Sequence, residues 1–325
     1  MRADKICAYE KGKVKLEHYE AAKPKENEVL VKTMFSTISP GTELAWLNHM
    51  ENTPGEYPYY PGYSCCGRIE GTGSGTADFK EGDLVVCNQI HCSGFAIESK
   101  KCTKIPAGIT PCEASAFRLA SISLQGVRKA DIQLGDKAAV LGLGPIGNLA
   151  AQLGFCAGAG SVSGFDFVAW RRALAEECGI LNTEENGEKE EFDSAFDVVI
   201  EATGVPQAIH TAFKMVKPLG KVVLLGSTRG NTDGVNFYRD VHRKGISVVG
   251  AHEMHRAQHE SDQFGHFRSH KRDEETVVEL LAQRRITLEP LISEITSPEN
   301  AQAIYDRLLC KKEPLMLAAF DWSGK

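Results

Sequence analysis

The sequence predicts an α/β protein in two parts, a β-rich module and a doubly wound parallel sheet. Three observations carry this. Short strands broken by turns fill the first hundred residues. Near Ala120 the texture changes to apolar runs alternating with helical stretches. The chain has 325 residues, more than one hydrophobic core ordinarily supports.

In the first part, Glu28–Thr33 (EVLVKT) alternates as a half-buried strand does, Gly67–Glu70 and Gly82–Cys87 read as further strands, and GTGSGT at Gly71–Thr76 reads as a glycine-rich turn. In the second, the strand-like runs are Ala138–Leu141, Ser161–Phe165, Asp197–Ala202, Lys221–Leu225 and Ser247–Ala251. Their alternation with helices implies right-handed βαβ crossovers in a parallel sheet. Ile146, Leu149, Ala150 and Leu153 recur at i, i+3, i+4, i+7, which sets an apolar helix face against that sheet. Beyond Ala251 come a polar, histidine-rich stretch, a helix over Glu274–Arg284 and a last strand near Leu315–Phe320.

Composition narrows the function classes. A formal net charge of −6 offers no basic face for a nucleic-acid backbone, and the acidic run Glu184–Glu191 reads as a solvated loop. The N-terminus is charged throughout and no stretch reaches the ~18 apolar residues of a membrane span, so a cytoplasmic protein without membrane partners is expected. Ten cysteines without a leader pattern read as reduced thiols.

The segment Lys137-Ala-Ala-Val-Leu-Gly-Leu-Gly-Pro-Ile-Gly-Asn spaces Gly142, Gly144 and Gly147 as G-x-G-x-x-G between an apolar strand and an amphipathic helix. In that setting Gly142 permits a tight turn, Gly144 lets a pyrophosphate approach the backbone, and Gly147 allows close helix–strand contact. Pro145 and Ile146 open the helix whose N-terminus faces the phosphates and belong to the same set. Asp166 ends the next strand about 20 residues on, where a carboxylate accepts from the adenosine ribose hydroxyls and repels a 2′-phosphate. NAD is therefore expected over NADP. Arg171 and Arg172 follow on the next helix and are expected to face solvent.

With these residues in place, the chain resembles the medium-chain dehydrogenase/reductases, the superfamily of the zinc alcohol and polyol dehydrogenases. The resemblance spans nearly the whole length, through VLVKTMFSTISPGTE, PGYSCCGRIEGTGSGTADFKEGDLVV, VLGLGPIGNLAAQLG, DVVIEATGVPQAIHTAF and KVVLLGS. It implies a GroES-like β-rich domain formed by residues 1–120 and 256–325, with a Rossmann domain at 121–255 between them. It also implies that Glu201, Thr203 and Gly204, with Leu225, Gly226 and Ser227, line the cofactor, and that the chain forms a homodimer through Rossmann sheet edges.

The zinc pattern of the superfamily is not matched. Where zinc members carry a cysteine and a His-Glu pair, this chain has Ser39, Tyr63 and Ser64. Hydroxyls are poor donors to Zn²⁺, which takes thiolate, imidazole and carboxylate, so no catalytic metal is expected. Cys87, Cys92, Cys102 and Cys112 lack the paired spacing of a structural zinc site. Without a Lewis acid, alcohol oxidation needs a positioned acid–base group. The candidates are Tyr63, in the place of a lost ligand; His91, in the connection after GDLVV, where an imidazole reaches the cleft or simply lies on a surface loop; His252, after the last strand of the second part; and Thr42. Tyr63 is alternatively the filler of a vacated cavity; the resemblance sets Thr42 and Glu43 among polar residues near the catalytic centre, with Glu43 alternatively a structural hydrogen-bond acceptor, and Arg118 either binds an acidic substrate group or pairs with a carboxylate. His255 and His259 share a helical face and, with Glu253, are a weaker candidate metal site.

The expected activity is zinc-independent hydride transfer between NAD(H) and a small alcohol or carbonyl substrate, a polyol, sugar or similar secondary alcohol. The alternatives are an NADPH-dependent quinone or enone reductase and a catalytically silent NAD(H)-binding sensor or structural protein.

Overall fold

The computed structural model describes residues 1–253 and 269–325, and these divide into two compact units, Met1–Arg118 with Leu291–Lys325 and Leu119–Pro290. In the first unit, β1 (Arg2–Glu10) and β2 (Lys13–Glu20) form an antiparallel hairpin. Its larger sheet contains β3 (Glu28–Thr37), β4 (Cys65–Thr72), β5 (Leu84–Cys87), β6 (Gly94–Glu98) and β7 (Cys102–Lys104). The last two strands, β14 (Ile292–Thr296) and β15 (Leu317–Asp321), return to this sheet, where β15 pairs with β3. Helix α1 (Pro40–Leu47) follows β3, and α8 (Ala301–Cys310) lies between the two returning strands. Ile6, Ile38, Leu47, Ile304, Phe320 and Trp322 bring these elements into one buried cluster. A short helix α2 (Pro111–Ala114) leads into α3 (Phe117–Ala130), which carries the chain into the second unit.

That unit holds β8 (Lys137–Leu141), β9 (Ser161–Phe165), β10 (Asn182–Glu184), β11 (Phe196–Glu201), β12 (Val216–Leu224) and β13 (Ser247–Gly250). All are parallel, in the order β10-β9-β8-β11-β12-β13. The chain winds outward from β8 in both directions, so the order reverses between β8 and β11. The connecting helices α4 (Pro145–Ala157), α5 (Ala169–Glu177) and α6 (Pro206–Met215) explain the nearly unbroken apolar runs of β8 and β11, since strands covered on both faces need no polar alternation. On α4, Leu149, Ala150 and Leu153 are buried as the periodicity requires, while Ile146 at its start is half-exposed. The fold class is the expected one, a GroES-like β-rich domain and a Rossmann-type parallel-sheet domain.

The division of the chain differs from the expected one, which placed residues 256–325 with the β-rich part. Helix α7 (His270–Ala282) and the residues up to Pro290 belong to the parallel-sheet unit. Two connections hold them there: Arg128 Nε meets Asp273 Oδ1 at 2.7 Å, and the Gln152 side chain both accepts from Thr287 N at 2.8 Å and donates to its carbonyl at 3.1 Å. None of these contacts is local in sequence, so the pattern of apolar residues does not announce them. Among the described residues no helix is long and apolar enough to cross a membrane.

Candidate active site

The glycine-rich turn follows β8 directly. Gly142 has φ +88°, a backbone region that glycine enters without penalty, and its N–H donates to Phe165 O at 2.7 Å. At Gly147 a Cβ would stand 1.7 Å from Gly142 O, so the helix approaches the turn only because no side chain intervenes. A Cβ at Gly144 would meet nothing within 4 Å; this side of the turn is open. Gly144 is the N-cap of α4 and Pro145 its first residue, with no side chain capping the end, which leaves the helix dipole directed at that open space. The cradle thus fits a dinucleotide pyrophosphate.

Asp166 is buried at the end of β9. Its Oδ2 accepts from Leu143 N within the glycine-rich turn at 2.9 Å, and Oδ1 accepts from Val168 N at 2.8 Å. Each oxygen keeps a lone pair beyond these bonds. Arg171 and Arg172 do not face solvent as expected. Arg171 Nη1 lies 3.5 Å from Asp166 Oδ2, and Arg172 Nη1 donates to the Asp166 carbonyl at 2.6 Å. The first turn of α5 directs both chains back over the strand end, where the carboxylate and a free carbonyl attract them.

The remaining cofactor candidates lie at the ends of β11 and β12. Glu201 accepts at its carboxylate from Thr203 N and Gly204 N, while its carbonyl accepts from Leu225 N at 2.9 Å and Gly226 N at 2.8 Å. A single residue therefore joins the Thr203-Gly204 turn to the Leu225-Gly226-Ser227 turn. In Gly204 the carbonyl also accepts from Arg229 N at 3.0 Å.

In the β-rich unit, Ser39, Tyr63 and Ser64, the residues expected in place of zinc ligands, offer hydroxyls only. Ser64 is fully buried, its hydroxyl donating to Ser115 O at 2.6 Å and accepting from Arg118 N at 3.3 Å. Ser39 is the buried N-cap of α1, and Tyr63 is half-buried. Among the described residues no group of three histidine, cysteine or acidic side chains is arranged to hold a metal ion. None of the ten cysteines is in a disulfide; Cys87 and Cys102 face each other across paired strands at 3.5 Å, and Cys112 is on α2.

His91 is neither on a surface loop nor open to solvent. It is fully buried, with Nδ1 2.8 Å from Ser36 Oγ and Nε2 2.9 Å from Glu43 Oε2. Trp322 Nε1, which only donates, reaches Ser36 Oγ at 2.8 Å, so the Ser36 hydroxyl joins Trp322 to His91. Glu43 also accepts from Tyr305 OH at 2.5 Å and from Ser39 N at 2.7 Å. Burial and the neighbouring carboxylate push the Tyr305 phenol far above its ordinary value. Glu43 is therefore the centre of a buried network that pins α1 to α8 and to the ends of β3 and β15, which agrees with the structural-acceptor reading of Glu43. Tyr305, Ser36 and Trp322 had no signal at all, being ordinary residues far away in the chain.

Thr42 is half-exposed on α1 next to Glu43, so the network fixes the backbone that carries it. Arg118 is buried. His252 is exposed after β13, and its carbonyl accepts from Gln125 Nε2 at 3.1 Å. His255 and His259 lie outside the described residues, so the candidate metal site they form with Glu253 does too.

Two family profiles match the chain: "Alcohol dehydrogenase GroES-like domain" over residues 25–137 and "Zinc-binding dehydrogenase" over residues 145–268. The chain belongs to the medium-chain dehydrogenase/reductase superfamily. Within that superfamily it is similar to D-guloside 3-dehydrogenase of Escherichia coli (strain K12), 27% identical over 89% of this chain and 91% of that enzyme. The fold is shared with galactitol-1-phosphate dehydrogenase from Escherichia coli, at a TM-score of 0.84 and 21% identity over 98% of this chain and 99% of that one. A Sinorhizobium meliloti 1021 protein bound to NADP superposes with a TM-score of 0.83 and 21% identity, covering 99% of both chains. The chain is thus a dinucleotide-binding oxidoreductase of the alcohol and polyol dehydrogenase type.

Proposed function

We propose that this chain transfers hydride between NAD(H) and a secondary alcohol or ketone of a polyol or sugar, without a catalytic zinc. The observation that carries this reading is the donor set at Ser39, Tyr63 and Ser64, where three hydroxyls replace thiolate, imidazole and carboxylate and the Ser64 hydroxyl is already spent on Ser115 O. The likeness to D-guloside 3-dehydrogenase supports a sugar or sugar-derived substrate.

NAD, when bound, supplies the hydride acceptor. The residues do the rest. The open face at Gly144 and the first turn of α4, with Pro145, Ile146 and Gly147, bind the pyrophosphate. The Asp166 carboxylate accepts from the adenosine ribose hydroxyls, and its fixed negative charge opposes a 2′-phosphate. In carbonyl reduction the half-buried Tyr63 phenol is assigned as proton donor to the developing alkoxide, and in alcohol oxidation its phenolate takes that proton back, with the Thr42 hydroxyl beside Glu43 orienting the substrate oxygen. His91, with both ring nitrogens engaged, acts as a support of α1 rather than as a shuttle, and His252 is the reserve candidate for proton exchange.

A second reading of cofactor choice has its own observation. Arg171 and Arg172 converge on Asp166, and two guanidinium groups at that position favour a 2′-phosphate. Calorimetric titration with NADH and NADPH decides between them: tighter NADH supports the Asp166 reading, tighter NADPH overturns it. Turnover against polyols, sugars and glycosides, with quinones and enones as controls, tests the reaction, and tight binding without turnover on any of them would favour a sensor. The homodimer is proposed through β13, an edge strand whose residues are largely exposed and whose outer backbone is unpaired within the sheet. A cytoplasmic location is part of the same proposal.

A further inference from the structure

Glu201 ends β11 with no solvent exposure, and its carboxylate is used unevenly. Oε1 accepts from Thr203 N at 2.6 Å, from the Thr203 hydroxyl and from Gly204 N at 3.1 Å. Oε2 has no partner. It lies under Gly226, 3.0 Å from the place of a Cβ there. Burial outweighs the three donors and raises the carboxyl above its ordinary value; no charged side chain of the described residues contributes. A glutamine carbonyl would accept the same three bonds, so closing the two turns does not require a charge. An ionised acid in this position costs more desolvation than an amide would, which points to a use for the charge itself.

The sheet order says what that charge faces. A dinucleotide lies across the point where the order reverses, with one mononucleotide on each half. Asp166 takes the adenosine ribose on the β9 side, which leaves the nicotinamide half to β11 and β12, and Glu201 ends β11. The oxidised nicotinamide ring is positively charged and the reduced ring is neutral. We infer that Glu201 is a redox-state selector, a buried anion that favours the oxidised over the reduced cofactor and so biases the enzyme toward alcohol oxidation. This rests on the reading of the unit as an NAD domain. A preference on the order of tenfold, about 1.4 kcal/mol, is the size of effect that one charge acting through a partly screened interior supplies.

The test is calorimetric titration of the full chain, wild type and Glu201→Gln, with NAD⁺ and with NADH. The ratio Kd(NAD⁺)/Kd(NADH) is expected to rise about tenfold in the variant through weaker NAD⁺ binding, with NADH within about threefold of wild type. Equal weakening of both would reduce Glu201 to a pin for the two turns and overturn the inference, as would an unchanged ratio. If Glu201→Gln does not fold, the wild type suffices: as pH falls and Glu201 takes up its proton, the ratio must rise, and a flat ratio overturns the inference. Asp166 serves the adenosine half common to both forms, so its titration cancels. A wild type that binds neither dinucleotide would instead overturn the cofactor reading on which this rests.

Discussion

Asp166 Oδ2 accepts from the Leu143 backbone N–H at 2.9 Å, so the acid proposed to read the ribose also shapes the glycine-rich turn proposed to hold the pyrophosphate. Asp166→Ala removes both functions and leaves the N–H groups of Leu143 and Val168 without their acceptor. NADH affinity is expected to fall at least tenfold, NADPH affinity much less, and stability by about 1–3 kcal/mol. Asp166→Asn keeps an acceptor for one of the two N–H groups and removes the repulsion of a 2′-phosphate, so it should narrow the gap between NADH and NADPH at a smaller cost in stability. Equal losses for the two cofactors in Asp166→Ala would remove Asp166 from the ribose role.

The hydroxyl set of Ser39, Tyr63 and Ser64 makes an elemental prediction. Purified protein is expected to carry no stoichiometric zinc and to keep its activity in a strong chelator, whereas about one zinc per chain would contradict the donor chemistry. With no metal to lower the alcohol's pKa, Tyr63→Phe should reduce kcat by about 10²–10⁴ while KM changes little. An unchanged kcat would return Tyr63 to a space-filling role and move attention to His252.

Gly147→Ala tests the closeness of α4 to the turn. The new Cβ would stand 1.7 Å from Gly142 O, a backbone atom that moves only if the strand-turn-helix opens. Expected results are loss of measurable dinucleotide binding and destabilisation of about 1–3 kcal/mol. Gly144→Ala, where the Cβ meets open space, should fold normally and weaken only the cofactor. Similar stability losses in both would mean that the turn tolerates no side chain for reasons unrelated to a ligand.

What was legible in the sequence was whatever is local. The β8–turn–α4 unit declares itself because strand, glycine spacing and helix face lie within about twenty residues, and Asp166 because its offset from the turn follows from one helix and one strand. The hairpin β1–β2 went unread, since β2 carries Lys13, Lys15 and Glu17 on alternate positions and β1 is charged at Arg2, Asp4, Lys5 and Glu10, so both resemble charged surface. The Glu43 network was invisible for a different reason. Its members, Ser36, Glu43, His91, Tyr305 and Trp322, meet only after the last strands return to the first sheet, and polar residues in a core leave no periodic trace. His91 was noticed for its chemistry and misplaced for its environment, because a histidine between a strand and a turn reads the same whether its ring points in or out.

Tyr305→Phe removes one donor to Glu43 and leaves those from His91 and Ser39. A buried carboxylate short of one partner should cost about 1.5–3 kcal/mol in chemical denaturation. If α1 is the support of Thr42, kcat/KM should fall with it while NADH affinity, which belongs to the other unit, stays constant. A parallel loss of NADH affinity would show that the variant perturbs the whole chain rather than α1.

The stability of the cofactor-free protein should register Glu201 as a function of pH, and its sign follows from the direction of the shift. The folded carboxyl is raised above its ordinary 4.5, so between that value and the folded one the unfolded chain has released a proton that the folded chain still holds. Stability therefore falls as pH rises through that window. Below the ordinary value the protonated acid contributes fully, and above the folded value the buried anion is a constant cost. Glu201→Gln titrates nowhere in this range. Thermal denaturation of both proteins at pH 4 and pH 7 should show the variant gaining on the wild type as pH rises. Saturating NAD⁺ should shrink that gain, because the positive ring stabilises the anion that the free protein holds without a positive charge beside it. A variant that loses ground toward pH 7 would mean that the three donors on Oε1 outweigh burial and that the folded carboxyl lies below its ordinary value.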